Sequence, residues 1–173
     1  QILSHASRLK AGTGLEALLD SLNEGAREIT GAERACVVLV GTDSGREVRV
    51  VSNSPESDDN ENRPKVSQTI IRRVLNTRES LLVHDVFADS ELMARPSVAS
   101  LSLRSVLCVP LVRGTRLFGA MYADSSSGAG SFDRTDLEIL SLFAEQAAGS
   151  IEAARLLADI QRSYAELRSA QER

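Results

Sequence analysis

The sequence predicts an α+β fold in which helices pack on a single antiparallel sheet. Three observations carry this. Helical and strand-like segments follow one another in the order helix, hairpin, loop, helix, strand, loop, strand, turn, strand, long helix. The strand-like runs are joined by turns too short for a parallel crossover, so neighbouring strands must be antiparallel. At 173 residues, 42% of them hydrophobic, the chain is long enough to bury a core without a metal or disulfide staple.

Gln1 to Lys10 carries Ile2, Leu3, Ala6 and Leu9 at helical spacing, then breaks at Gly12-Thr13-Gly14. Thr13 with Glu16 fits a capping box for the next helix. That helix shows one apolar stripe, Leu15, Leu18, Leu19, Leu22, Ala26 and Ile29, and stops at Gly31. Gly12-x-Gly14 is not a phosphate loop, because a helix precedes it and no Lys-Ser/Thr follows.

Residues 35–40 read as a buried strand, and 47–51 as a half-exposed partner across the turn Gly41–Gly45. Ser52 to Arg63 has no large apolar residue and reads as a solvated loop. Its Asp58-x-Asn60-x-Asn62 fails as a calcium loop: Arg63 stands where the sharp turn needs Gly, and no Glu closes the loop. Ser67 caps a helix bearing Ile70, Ile71, Val74 and Leu75. Leu81–Val83 is a short strand, and residues 84–105 suit a loop with one short helix. Strands at Ser105–Leu111 and Leu117–Ala123 flank the turn Arg113–Arg116. Asp133 opens a long final helix, where Asp133 and Asp136 complement the helix dipole. Its first half carries Leu137, Leu140, Ala144, Ala147, Ala148 and Ile151 toward the domain. Its second half changes face: Leu157, Ile160, Tyr164 and Leu167 are spaced as an a/d seam. The alternative is an ordinary amphipathic helix packed on its own domain.

Charge and composition exclude several classes. Twenty basic against 24 acidic residues give a net charge of −4, which disfavours a nucleic-acid or anionic-membrane binder. Aromatics are 3% and Trp is absent, which disfavours base stacking. The two cysteines, Cys36 and Cys108, lie inside apolar runs and read as small hydrophobes in a reducing compartment. The chain starts at Gln1 without Met and ends in open helix, so it is expected to be a piece of a longer, cytoplasmic protein. No metal-ligand spacing of His or Cys is present.

Four segments together carry a family resemblance: Ser105-Val-Leu-Cys-Val-Pro-Leu111, Phe118-Gly-Ala-Met-Tyr-Ala-Asp124, Phe132-x-x-x-Asp136-Leu137 and Phe143-Ala-Glu-Gln-Ala-Ala148. Over about residues 14–157 the chain resembles a GAF domain, with residues 1–13 as a connecting helix and 158–173 as the start of a signalling helix or coiled coil. The resemblance implies a GAF/PAS-like central sheet of five or six strands in order 2-1-5-4-3. The terminal helices would pack on one face, with a small-molecule pocket on the other under an irregular middle segment. It further implies a regulatory, non-catalytic module of a bacterial signalling protein, a homodimer through its terminal helices, relaying a signal to an output domain such as a histidine kinase. The runner-up is a dimerisation spacer without a ligand.

Pocket positions implied by the resemblance are Cys36 on the first strand, Asn53 after the second, Ile71 on the helix, and Ser100 and Ser102 in the middle segment. Arg72 and Arg104 are candidate partners for an anionic ligand, against the plainer reading of solvated faces. Cyclic-nucleotide-binding members carry Asn-Lys…Phe-x-x-x-Asp-Glu. Phe132 and Asp136 match, but Asp124-Ser125 and Leu137 depart. Bilin-binding members use a loop cysteine, whereas both cysteines here fall on predicted strands. Haem would have only His5 or His84 as a ligand. A GAF-fold thiol reductase needs accessible thiolates. No cofactor and no catalysis are therefore expected.

Overall fold

A sheet of five strands organises the chain, in the order β2-β1-β5-β4-β3 with every pair antiparallel. The computed structural model describes residues 13–41, 48–51, 66–99, 102–128 and 131–171. The expected helix over 1–10, the Thr13 cap side chain, most of the turn at 41–45 and the polar loop 52–63 fall outside them. The elements are α1 (Thr13–Thr30), β1 (Arg34–Val40), β2 (Val48–Val51), α2 (Gln68–Thr77), β3 (Leu81–Val83), α3 (Ser90–Met93), α4 (Pro96–Ala99), β4 (Ser105–Arg113), β5 (Arg116–Ser125) and α5 (Arg134–Gln171). A 3₁₀ turn, Val86–Ala88, precedes α3.

Strand alternation sorts the core into two layers. One face of the sheet presents Val37, Leu39, Leu107, Val109, Met121 and Ala123 to α1 and α5. Leu19, Leu22 and Ala26 of α1 and Leu140, Ala144, Ala148 and Ile151 of α5 complete that layer. The other face presents Cys36, Val38, Val106, Cys108, Ala120 and Tyr122 to Ile70, Ile71 and Val74 of α2. The terminal helices thus share one face, and the middle segment covers the other.

Two close approaches set the spacing of these layers. Gly119 of β5 is opposite Leu39 of β1, and a side chain there would run into the Val38 carbonyl. Gly25 of α1 lies under the Phe143 ring of α5, with only 2.7 Å between the ring tip and a would-be Cβ. Asn23, buried on α1, accepts from the Val37 N–H at 2.8 Å and ties the helix to β1.

The middle segment corrects the expectation of one short helix: it forms three short turns. Asp85 Oδ1 accepts from Phe87 N–H (3.0 Å), capping the 3₁₀ turn. Asp89 Oδ1 accepts from Glu91 and Leu92 N–H (3.1 and 3.0 Å), capping α3. Each turn buries one apolar side chain: Val86, Leu92 and Val98. At the start of α5, Asp133 and Asp136 form a reciprocal box. Asp136 N–H donates to Asp133 Oδ1 (2.9 Å), and Asp133 N–H donates to Asp136 Oδ2 (2.8 Å).

Candidate functional site

On the α2 face the register lays side chains out in rows across the sheet. Arg34, Asp124 and Val106 form one row, and Cys36, Tyr122 and Cys108 the next. Ser67 caps α2 by accepting from Ile70 N–H (3.4 Å), and its own N–H points at the Tyr122 hydroxyl at 3.5 Å. The helix start therefore sits over the tyrosine row.

The Arg34 row is a polar corner in an otherwise apolar layer. Arg34 Nε donates to Asp124 Oδ1 at 2.7 Å, and the Asp124 side chain is fully buried. Burial raises the Asp124 carboxyl above its ordinary range, opposed by Arg34. The Tyr122 side chain also hydrogen-bonds the Asp124 carboxyl and lowers it, while Oδ2 meets no partner at strict hydrogen-bond geometry among the described residues. On the β4 side, Arg104 Nη2 pairs with Asp85 Oδ2 at 3.3 Å, and its guanidinium lies 4.8 Å over the Phe87 ring. Arg104 Nε is buried and also without a partner among the described residues.

The expected pocket residues separate. Cys36 and Ile71 share the buried α2-face layer. Arg72 is exposed on α2, and Ser102 is exposed at φ 52° beside the layer. Arg104 is half-buried and engaged with Asp85 and Phe87. Asn53 and Ser100 lie outside the described residues. Three residues of the polar corner were missed, Arg34, Asp85 and Asp124, as was Tyr122 in the row beside it. The available signal was Tyr122-x-Asp124, which strand alternation places on one face.

Cysteine chemistry finds no support here. Both thiols are buried, and burial pushes Cys36 up to about 12 and Cys108 further up. Among the described residues no group of three metal-binding side chains converges. No helix of the described residues is long and apolar enough to cross a membrane. A groove of about 540 Å³ runs along β3, lined by Arg73, Leu82, His84, Asp85 and Asp89. Its two aspartates are already committed as turn caps.

The seam residues all lie on α5 beyond the core. Leu157, Ile160, Tyr164 and Leu167 are 58%, 53%, 71% and 64% exposed, whereas burial on the helix ends at Ile151.

A helix-covered antiparallel sheet whose second face is covered by α2 and the irregular middle segment defines a small α+β fold. The GAF domain family model matches residues 14–151, and the chain belongs to that family. Several solved structures share the fold. Residues 122–287 of a methyl-accepting chemotaxis protein align at TM-score 0.64 and 23% identity, covering 87% of this chain and 96% of that one. The GAF domain/HD domain protein from Geobacter sulfurreducens aligns at 0.63 and 18%, covering 82% and 94%. The blue-light-absorbing form of the Thermosynechococcus elongatus PixJ GAF domain aligns at 0.62 and 19%, covering 93% and 96%. Comparison with curated protein sequences gives no match.

Proposed function

We propose that this chain is the sensory regulatory module of a cytoplasmic bacterial signal-transduction protein. It binds a small molecule on the α2 face and relays the change through α5 to an output domain such as a histidine kinase. One observation carries this reading. A single 38-residue helix holds the core with its first half and, among the described residues, offers an uncovered apolar seam with its second. Four large apolar side chains at a/d spacing are costly in water and favourable against a second copy. The working unit is therefore a homodimer joined through α5. Similar folds occur in a chemotaxis protein and in a GAF domain/HD domain protein. The domain performs no catalysis itself, in keeping with two buried, protonated thiols.

A second reading, a dimerisation spacer without ligand, is favoured by the tight filling of the α2 face. Val38, Ile71, Val106 and Tyr122 are completely buried against one another. Native mass spectrometry of the purified chain separates the two. A dimer with added mass supports the sensor, and a dimer at the bare mass supports the spacer. A monomer overturns the seam. The triple variant Leu157→Gln, Ile160→Gln, Leu167→Gln is expected to be monomeric by light scattering, and a dimeric variant refutes the seam assignment.

A further inference from the structure

The layer between α2 and the sheet is filled: Val38, Ile71, Val106 and Tyr122 are wholly buried in it. At its margin, along β3, runs the groove of about 540 Å³. That volume falls within the range of small-molecule sites, about 300–1,000 Å³. β3 is the last strand of the sheet, so no further strand of the described sheet lies beyond it. α2 contributes Arg73 to the groove, and the turns after β3 contribute Asp85, Asp89 and Leu92.

The charged groups of the groove are not equally committed. Asp85 uses both oxygens, Oδ1 accepting from Phe87 N–H and Oδ2 paired with Arg104 at 3.3 Å. Asp89 performs its capping with one oxygen. Its Oδ1 accepts from the Glu91 and Leu92 N–H groups, and its Oδ2 accepts no hydrogen bond among the described residues. The Arg73 guanidinium and the His84 ring likewise have no partner among the described residues. Arg73 and Asp89 therefore line one groove with opposite charges and do not close on each other. A simple anion that meets Arg73 is repelled by Asp89, and a simple cation that meets Asp89 is repelled by Arg73. A ligand carrying both charges satisfies both. Leu82 and Leu92 add apolar surface beside them, which suits a hydrocarbon substituent.

We infer that the β3 groove is a binding site for a zwitterionic amino acid with an apolar side chain. Its carboxylate takes the fork of Arg73, its ammonium donates to Asp89 Oδ2, and its side chain lies against Leu82 and Leu92. This assignment rests on the sensor reading and names a ligand class and a location for it, at the edge of the α2 face.

The test titrates the full chain with phenylalanine, 3-phenylpropanoate and phenethylamine, which share a ring and differ in charge. The ring signals of His84 are followed by NMR; His5 is the only other histidine. Phenylalanine should move the His84 signals and bind about tenfold tighter than either analogue, the worth of one charge-assisted hydrogen bond. Arg73→Gln should bring phenylalanine down to the level of phenethylamine. Asp89→Asn should bring it down to the level of 3-phenylpropanoate, while the cap survives because asparagine also caps helices. If the Asp89 variant does not fold, the exposed Arg73 position still carries the test. Equal affinity for phenylalanine and 3-phenylpropanoate, or phenylalanine binding that Arg73→Gln leaves unchanged, overturns the two-charge site. So does a His84 ring unmoved by millimolar phenylalanine. Native mass spectrometry of the purified chain keeps the two readings apart: added mass with a silent groove overturns this site and leaves the sensor standing, whereas bare mass with a silent groove removes both.

Discussion

Arg34 and Asp124 face each other across the β1–β5 pair as direct register partners, one 40% exposed and the other wholly buried. The asymmetry decides what each contributes. Water can solvate the arginine if its partner is lost, whereas the buried aspartate depends chiefly on Arg34, with Tyr122 a lesser support. Replacing Arg34 by Met should cost about 2–3 kcal/mol, at or below the low end for breaking a buried pair because one partner is already hydrated. It should also move the carboxyl further up, since burial then loses its main opponent and only the weaker Tyr122 hydrogen bond still lowers it. Because that carboxyl is raised in the folded state, its contribution to stability is greatest in acid and falls as pH rises from the unfolded to the folded value. Urea denaturation of Arg34→Met between pH 4 and pH 7 should show the loss growing with pH, and a loss that shrinks with pH would contradict this account.

The opposite sign applies at Glu33. Its carboxylate accepts from the Ser126 hydroxyl (2.6 Å), the Ser127 and Ser126 N–H groups (3.0 and 3.1 Å) and the Ser125 hydroxyl (3.2 Å). Led by the Ser126 hydroxyl, these bonds lower it to about 2. The resulting stability is present above the unfolded carboxylate value and is lost as pH falls toward 2. Glu33→Gln should flatten the acid limb of the melting curve below pH 4.5, measured by circular dichroism, while leaving neutral pH less affected than Arg34→Met does.

Gly119 and Gly114 offer a paired measurement. A methyl at Gly119 meets the β1 backbone, which cannot yield without opening the sheet. Gly119→Ala should cost about 3 kcal/mol, the upper range of overpacking. Gly114 has φ +60° but open space around it. Gly114→Ala should cost only the left-handed backbone penalty, about 1 kcal/mol. Equal losses in a denaturant titration would mean that contact with β1 is not the constraint at Gly119.

Asn23→Ala should destabilise by about 1–3 kcal/mol, because it strips the Val37 N–H of its acceptor in a buried place. Amide hydrogen exchange at Val37 should rise well beyond the global change. If protection at Val37 is untouched, the side-chain bond is not what holds that N–H.

Much of this architecture was legible in the residues. The strands were readable because buried runs such as Cys36–Leu39 and Val106–Val109 have few polar interruptions. The α5 pattern was readable because its apolar spacing shifts visibly after Ile151. The three turns over 86–99 were not, since each rests on one aspartate cap and one buried side chain, too little to make a period. The polar corner was hidden for another reason. Its members, Arg34, Asp85, Arg104 and Asp124, are distant in sequence and converge only through β-sheet register. Asp124 was also read as lying just past its strand, whereas β5 runs on to Ser125.

After Gly149 the long helix contains neither Gly nor Pro up to its end at Gln171. No joint therefore separates the half clamped in the domain from the half carrying the seam. On the proposed function, rotation of the clamped half would carry to the far end, as in a crankshaft, and angular phase would be the quantity transmitted. One extra residue between Ile151 and Leu157 would turn the seam by about 100°, whereas a seven-residue insertion would nearly restore its facing.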